Sequence, residues 1–160
     1  MVKGGTPELY GPDAKAARDS FHDTVWHTHD VIWSPEVPFF RDEALDFLER
    51  PFRVSVITAP APNAGELRRR PEAEGELEAT LRRRAGLVLG AAARGGHRTL
   101  VLGAWGCGAF RNDPVLVAEV LDNALATAGS TFEHVVFAVW ERGGDGPNRR
   151  AFDERFAPRS

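Results

Sequence analysis

Three short runs, FRVSVITA (52–59), RTLVLGA (98–104) and EHVVFAVW (133–140), are almost continuously apolar and rich in β-branched residues, with helical segments between them. A strand that is apolar on both faces needs cover on both, and parallel sheets obtain it from crossover helices. The first helical segment, 76–96, places Leu77, Leu81, Val88 and Ala92 at apolar positions and ends in Gly95 and Gly96. The second, 114–129, opens on Asp113 as N-cap with Pro114 at the first helical position, and closes on Gly129. A short last helix follows Pro147 or Asn148. The pattern predicts an α/β fold with a largely parallel central sheet and helices on both of its faces. Right-handed crossovers bring the loops 59–65, 103–113 and 140–148 to one edge, the carboxyl ends of the strands, where such sheets bind ligands.

The front of the chain carries no such signal. Residues 1–12 hold Gly4, Gly5, Pro7, Gly11 and Pro12 without periodicity and read as an irregular lead-in, followed by a short helix over 13–21. In DVIWSPEVPFF (30–40), Pro35 and Pro38 restrict a strand to Asp30–Trp33 or to a sheet edge, and the rest reads as extended loop. The charged stretch 66–78 reads as solvated loop and helix entry. With no credible linker, residues 13–160 form one domain, and a chain of 160 residues buries roughly 70% of its unfolded surface without needing a metal or disulfide. The oligomeric state expected by default is a monomer. Cys107 is the only cysteine, which excludes an internal disulfide and a cysteine-rich zinc site and fits a reducing, cytoplasmic setting. The first thirty residues hold no apolar signal-peptide core, and no run approaches a membrane span. A net charge of -3 selects neither nucleic acid nor any other partner.

The chemistry concentrates in TLVLGAWGCGAFRNDP (99–114). Gly103, Gly106 and Gly108 follow a buried strand and precede a capped helix, so the backbone can approach a ligand closely and present N–H groups to a phosphate or diphosphate. Phe110 beside them offers a ring to a ribose or base. The alternative is a tight connection in which the glycines only relieve crowding. Neither GxxxxGK[ST] nor GxGxxG is matched, so any phosphate is held by backbone. Cys107 near a helix start invites a thiol-nucleophile reading, but only three residues separate it from Arg111, where the phosphatase spacing has five, so a loop residue without covalent role is the plainer reading.

His27 and His29 share a face if WHTHD is extended, yet His22, His97 and His134 supply no recognised metal spacing, and no metal is expected. Trp26 and Trp33 read as core, whereas Trp105 and Trp140 fall in or beside the ligand-facing loops. TAPAPNAG (58–65) is a rigid loop whose Asn63 amide can hydrogen-bond a ligand.

WSPEVPFFRDE (33–43), VSVITAPAPNAG (54–65), LVLGAWGCGAFRNDP (100–114) and HVVFAVWER with Asn148 (134–148) resemble, in order and spacing, the carboxyl-terminal two-thirds of the microbial-type poly(ADP-ribose) glycohydrolases, which are macrodomain proteins. The resemblance covers about 25–156. It implies a three-layer α/β/α macrodomain with ADP-ribose in a cleft across the strand ends and no other cofactor. Gly103, Gly106, Cys107, Gly108 and Ala109 then line the diphosphate, with Trp105 among them, and Phe110 packs on the distal ribose. Ala59, Pro60 and Asn63 border the cleft, and Trp140 through Asn148 lie near the adenosine. The family's glycine run followed by Gln-Glu-Glu, whose second Glu is the acid, has no counterpart: the chain has no Gln, and the first acidic residue after Gly4 and Gly5 is the isolated Glu8. Met1 reads as the natural start of this short front. The expected activity is removal of single ADP-ribosyl groups from a protein or nucleic acid, by water held at the distal ribose with help from the bound diphosphate, the catalytic residue being unknown. A non-catalytic ADP-ribose reader is the alternative, and a phosphohydrolase using Cys107 a third reading.

Overall fold

The computed structural model describes residues 30–69 and 75–157; the expected lead-in over 1–12, the helix over 13–21 and Glu8 lie outside them. Strands β1 (Ile32–Arg41) and β2 (Phe47–Thr58) form an antiparallel ladder, and β3 (Thr99–Leu102) and β4 (His134–Phe137) a parallel one. Between them come a single turn α1 (Ala64–Leu67), then α2 (Leu77–Arg94), α3 (Pro114–Ala128) and α4 (Pro147–Phe156). Each of the three apolar runs lies in a strand; α2 and α3 stand within two residues of the expected 76–96 and 114–129, and α4 starts at Pro147 as expected.

The segment 33–40 departs from the expectation of an extended loop. The strand runs on through both prolines because an irregularity between Ser34 and Val37 takes Pro35 and Glu36 out of the ladder, with Glu36 in the left-handed region at φ 56°. Among the described residues β1 pairs only with β2, the edge position that prolines tolerate. The 52–59 run likewise pairs with β1 rather than with β3.

Helices α2, α3 and α4 lie side by side on one face of the β3–β4 pair. Leu81 and Ala85 of α2, Val117, Val120 and Leu121 of α3 and Phe152 of α4 form the core, with Leu102 and Phe137 of the strands packed against it. Phe137 stacks on Phe156 at 4.1 Å and meets Phe152 edge-on at 5.3 Å. Arg82 joins Glu119 across α2 and α3 at 2.9 Å, and Arg155 joins Asp122 across α3 and α4 at 2.7 Å. The strand side chains alternate: Leu100, Leu102, Val135 and Phe137 turn toward the helices, while Val101 and Val136 on the opposite face are 70% and 54% exposed. No helix among the described residues is long and apolar enough to cross a membrane.

At the end of α2, Gly95 admits the Trp33 ring, which a Cβ would meet at 2.3 Å, and Gly96 turns the chain at φ 75°. Leu81 has no exposed surface, so Leu81→Ala is expected to lower unfolding free energy by about 2–5 kcal/mol in urea titration. A loss well below 1 kcal/mol would place the core elsewhere.

Candidate functional site

Asp113 caps α3 as expected, its carboxylate accepting from the Val115 N–H at 3.0 Å, with Pro114 opening the helix. The loop from Gly103 to Asn112 is thereby pinned between a strand end and a helix start. Within it Trp105 N–H donates to Gly103 O, Cys107 N–H to Ala104 O, Arg111 N–H to Gly108 O and Asn112 N–H to Gly106 O. The amides of Gly106, Gly108 and Ala109, within four consecutive residues, donate to no backbone carbonyl among the described residues, and amides left over in a loop of this kind are available to an anion.

The loops after β2 and β3 are held together by side chains. The Trp105 indole N–H donates to Ala59 O at 3.0 Å, and the Asn112 amide donates to Pro62 O at 3.0 Å and to Gly106 O at 3.1 Å. Gly65 N–H adds a backbone bond to Phe110 O at 3.0 Å. Beneath the 59–63 loop the side chain of Arg84, 1% exposed, donates from Nη1 to Pro60 O at 2.9 Å. Burial lowers the pKa of that guanidinium, the neighbouring Arg83 charge adding to the effect; arginine nevertheless stays charged. Asn112 and Arg84 hold the site's shape, and the sequence reading missed both. Neither carries a local motif; what marks them is burial of a polar side chain, which becomes visible only in three dimensions.

Gly106 and Gly108 turn out to differ. Gly106 sits at φ 76°, and a Cβ there would lie 2.3 Å from Asn112 Nδ2 and 2.5 Å from Ala61 Cβ. At Gly108 a Cβ would meet nothing within 4 Å. The first glycine is required by the loop itself, while the second faces open space. Gly103 is close-packed against Ala138 O, 3.1 Å from a Cβ, which brings the ends of β3 and β4 together.

The other expected residues fall on the same edge. Asn63 uses its side-chain oxygen to cap α1, accepting from Glu66 N–H at 3.2 Å. Pro60 and Ala59 are half-buried, with their carbonyls taken by Arg84 and Trp105. Phe110 is half-buried, Ala109 exposed, and Trp140 79% exposed in the loop after β4. The Asn148 N–H donates to Glu141 Oε1 at 2.7 Å, closing the 141–148 loop on itself. His22, Trp26, His27 and His29 lie outside the described residues. Among the described residues no group of three or more His, Cys, Asp or Glu side chains is placed to hold a metal.

Cys107 is half-buried, and burial, with a smaller contribution from the Asp113 charge, pushes its thiol up to about 12. A thiol that keeps its proton at neutral pH is a poor nucleophile, which argues against the phosphohydrolase reading. Folding stability should therefore fall as pH rises from about 9 toward about 12, because the unfolded chain releases this proton first. Iodoacetamide at pH 8 is expected to alkylate the folded chain at least about tenfold more slowly than the unfolded one; equal rates by mass spectrometry would refute the burial argument.

No family model and no curated protein matches this chain. Solved structures do. A point mutant of the poly(ADP-ribose) glycohydrolase of Deinococcus radiodurans, in complex with ADP-ribose, is 43% identical with a TM-score of 0.85 over 93% of this chain and 62% of its own. The same enzyme without that mutation, also with ADP-ribose, is 44% identical with a TM-score of 0.83 over 92% and 61%. The glycohydrolase of Thermomonospora curvata is 41% identical with a TM-score of 0.76 over 94% and 53%. The chain thus spans less than two thirds of the length of these neighbours. Its fold is the α/β macrodomain fold of the bacterial poly(ADP-ribose) glycohydrolases.

Proposed function

We propose that the chain binds ADP-ribose at the carboxyl ends of its strands and releases single ADP-ribosyl groups from modified protein or nucleic acid. The observation that carries this reading is that the Gly106, Gly108 and Ala109 amides donate to no backbone carbonyl among the described residues, in a loop braced by the buried Asn112, in a chain similar to two ADP-ribose complexes. The diphosphate rests on that arc beside Gly103, Trp105 and Cys107. Phe110 packs on the distal ribose, Ala59, Pro60 and Asn63 border the cleft, and the exposed Trp140 with the loop to Asn148 serves the adenosine.

In the hydrolysis, a water oxygen bonds to the anomeric carbon of the distal ribose while the bond from that carbon to the acceptor breaks. The bond's electron pair leaves with the acceptor, and the one proton the water gives up passes to a diphosphate oxygen and from there, through solvent, to the acceptor. The carboxylates of the site loops support a substrate-borne base over a protein one. Asp113 is engaged as a cap, Glu141 with the Asn148 N–H, and Asp145 with Arg150 at 3.4 Å. The same engagement favours a second reading, a reader that binds ADP-ribose without cleaving it.

Calorimetry with free ADP-ribose is expected to show binding, and its absence at high micromolar ligand would defeat both readings. Gly108→Glu, whose Cβ would meet nothing within 4 Å, should weaken binding at least about tenfold by like-charge conflict with the diphosphate while leaving the melting temperature unchanged. Gly106→Glu is a poorer probe, since any side chain there breaks the loop first. Incubation with acceptors linked through Glu or Asp, Ser, Arg and a nucleobase then separates the readings: release from one or more identifies an eraser, release from none a reader.

A further inference from the structure

The chain leaves β4 through a loop built around one carboxylate. Soon after Trp140, Gly143 and Gly144 stand in the left-handed region at φ 89° and 86°, and Gly144 N–H donates to Glu141 O at 3.2 Å, so the chain turns back on itself. Helix α4 then opens on Gly146, which has no side chain to cap with, and on Pro147, which has no N–H. The next amide of the first turn, Asn148 N–H, finds its acceptor across the loop in Glu141 Oε1 at 2.7 Å. A carboxylate in that place also faces the positive end of the helix dipole.

The seat of that carboxylate is shaped for it. Gly146 is buried, and a Cβ on it would lie 2.5 Å from the Glu141 carboxyl carbon and 2.8 Å from Oε1. Glycine at 146 and glutamate at 141 therefore fit as a pair, since any side chain at the first would displace the carboxylate of the second. The two arginines of the first turn of α4 are turned to other partners, Arg150 to Asp145 at 3.4 Å and Arg149 to Asp153 at 3.3 Å.

Trp140 lies between this latch and the strand. Two residues before it Ala138 N–H donates to Leu102 O at 2.7 Å, and immediately after it Glu141 is held through both its carbonyl and its carboxylate. The Trp140 side chain is nevertheless 79% exposed. A large indole on an anchored backbone, open to solvent, suits the face of a flat ring. We propose that Glu141 is a positioning residue: its carboxylate, seated on Gly146 and bonded to Asn148 N–H, holds the 140–148 loop in the shape that presents Trp140, and so sets affinity for the adenosine end of the ligand. The inference rests on the ADP-ribose reading of this edge. Without the latch the ligand would have to order the loop itself, which lowers affinity.

The test is a double-mutant cycle read by calorimetry with free ADP-ribose. Glu141→Ala is expected to weaken binding at least about fivefold where Trp140 is present and less than about twofold in a Trp140→Ala background, because the one residue acts through the other. A merely structural role would cost the same factor in both. Glu141→Gln keeps an acceptor for Asn148 N–H and should hold affinity within about twofold. In the free protein, exchange of the Asn148 amide followed by NMR should be at least about tenfold faster in Glu141→Ala and within about twofold of the unsubstituted rate in Glu141→Gln. If Glu141→Ala fails to fold, Glu141→Asp, whose carboxylate is withdrawn by one methylene, serves in the same comparison. Equal losses in the two backgrounds, or an Asn148 amide that exchanges no faster without the Glu141 carboxylate, would overturn the role of Glu141 alone. Absence of binding by the unsubstituted chain would defeat the ADP-ribose reading itself, a failure visible before any substitution is made.

Discussion

Everything at the ligand edge depends on one buried amide. Asn112 is 2% exposed; its bond to Pro62 O joins the loop after β2 to the loop after β3, beside those of Trp105 to Ala59 O and Gly65 to Phe110 O, and its bond to Gly106 O braces the second loop internally. Its oxygen is buried with no hydrogen-bond partner among the described residues, an arrangement that costs about 1–3 kcal/mol where no partner is supplied. Against that cost the side chain satisfies the Pro62 carbonyl and gives Gly106 O, already bonded to the Asn112 N–H, a second donor. The left-handed Gly106 follows from the same contact, since Asn112 Nδ2 occupies the space a side chain would need.

Local signals in the sequence carried most of the fold. The N-cap at Asp113, the proline after it and the glycines after Arg94 specify helix boundaries through chemistry within a few residues, and the apolar runs specify strands by composition. What could not be read is non-local. Whether 52–58 pairs with 32–41 or with 99–102 depends on register and available neighbours. The course of β1 through Pro35 and Pro38 depends on an irregularity that no propensity announces.

The candidate site was legible in its glycines and only partly in its side chains. Gly103, Gly106 and Gly108 fall in one loop, but the three have different duties: Gly103 packs against β4, Gly106 accommodates Asn112, and Gly108 is open. Trp105 illustrates the same limit. An aromatic in such a loop reads as a platform for a ligand, yet its N–H is a strut to Ala59. Arg84 gave no signal at all, because a helix position between Arg83 and Ala85 looks solvated until its neighbours in space are known.

The 59–63 loop carries two prolines, is propped from below by the Arg84 guanidinium and is gripped from the side by Asn112 and Trp105. Its conformational freedom has been surrendered during folding. For the ligand proposed above, this edge offers one shape rather than an ensemble, so little of the interaction energy is consumed in ordering the receptor. Preorganisation of this kind also limits tolerance: a ligand that does not fit will not be accommodated by loop adjustment, which makes the two prolines selective elements although neither presents a polar group of its own side chain.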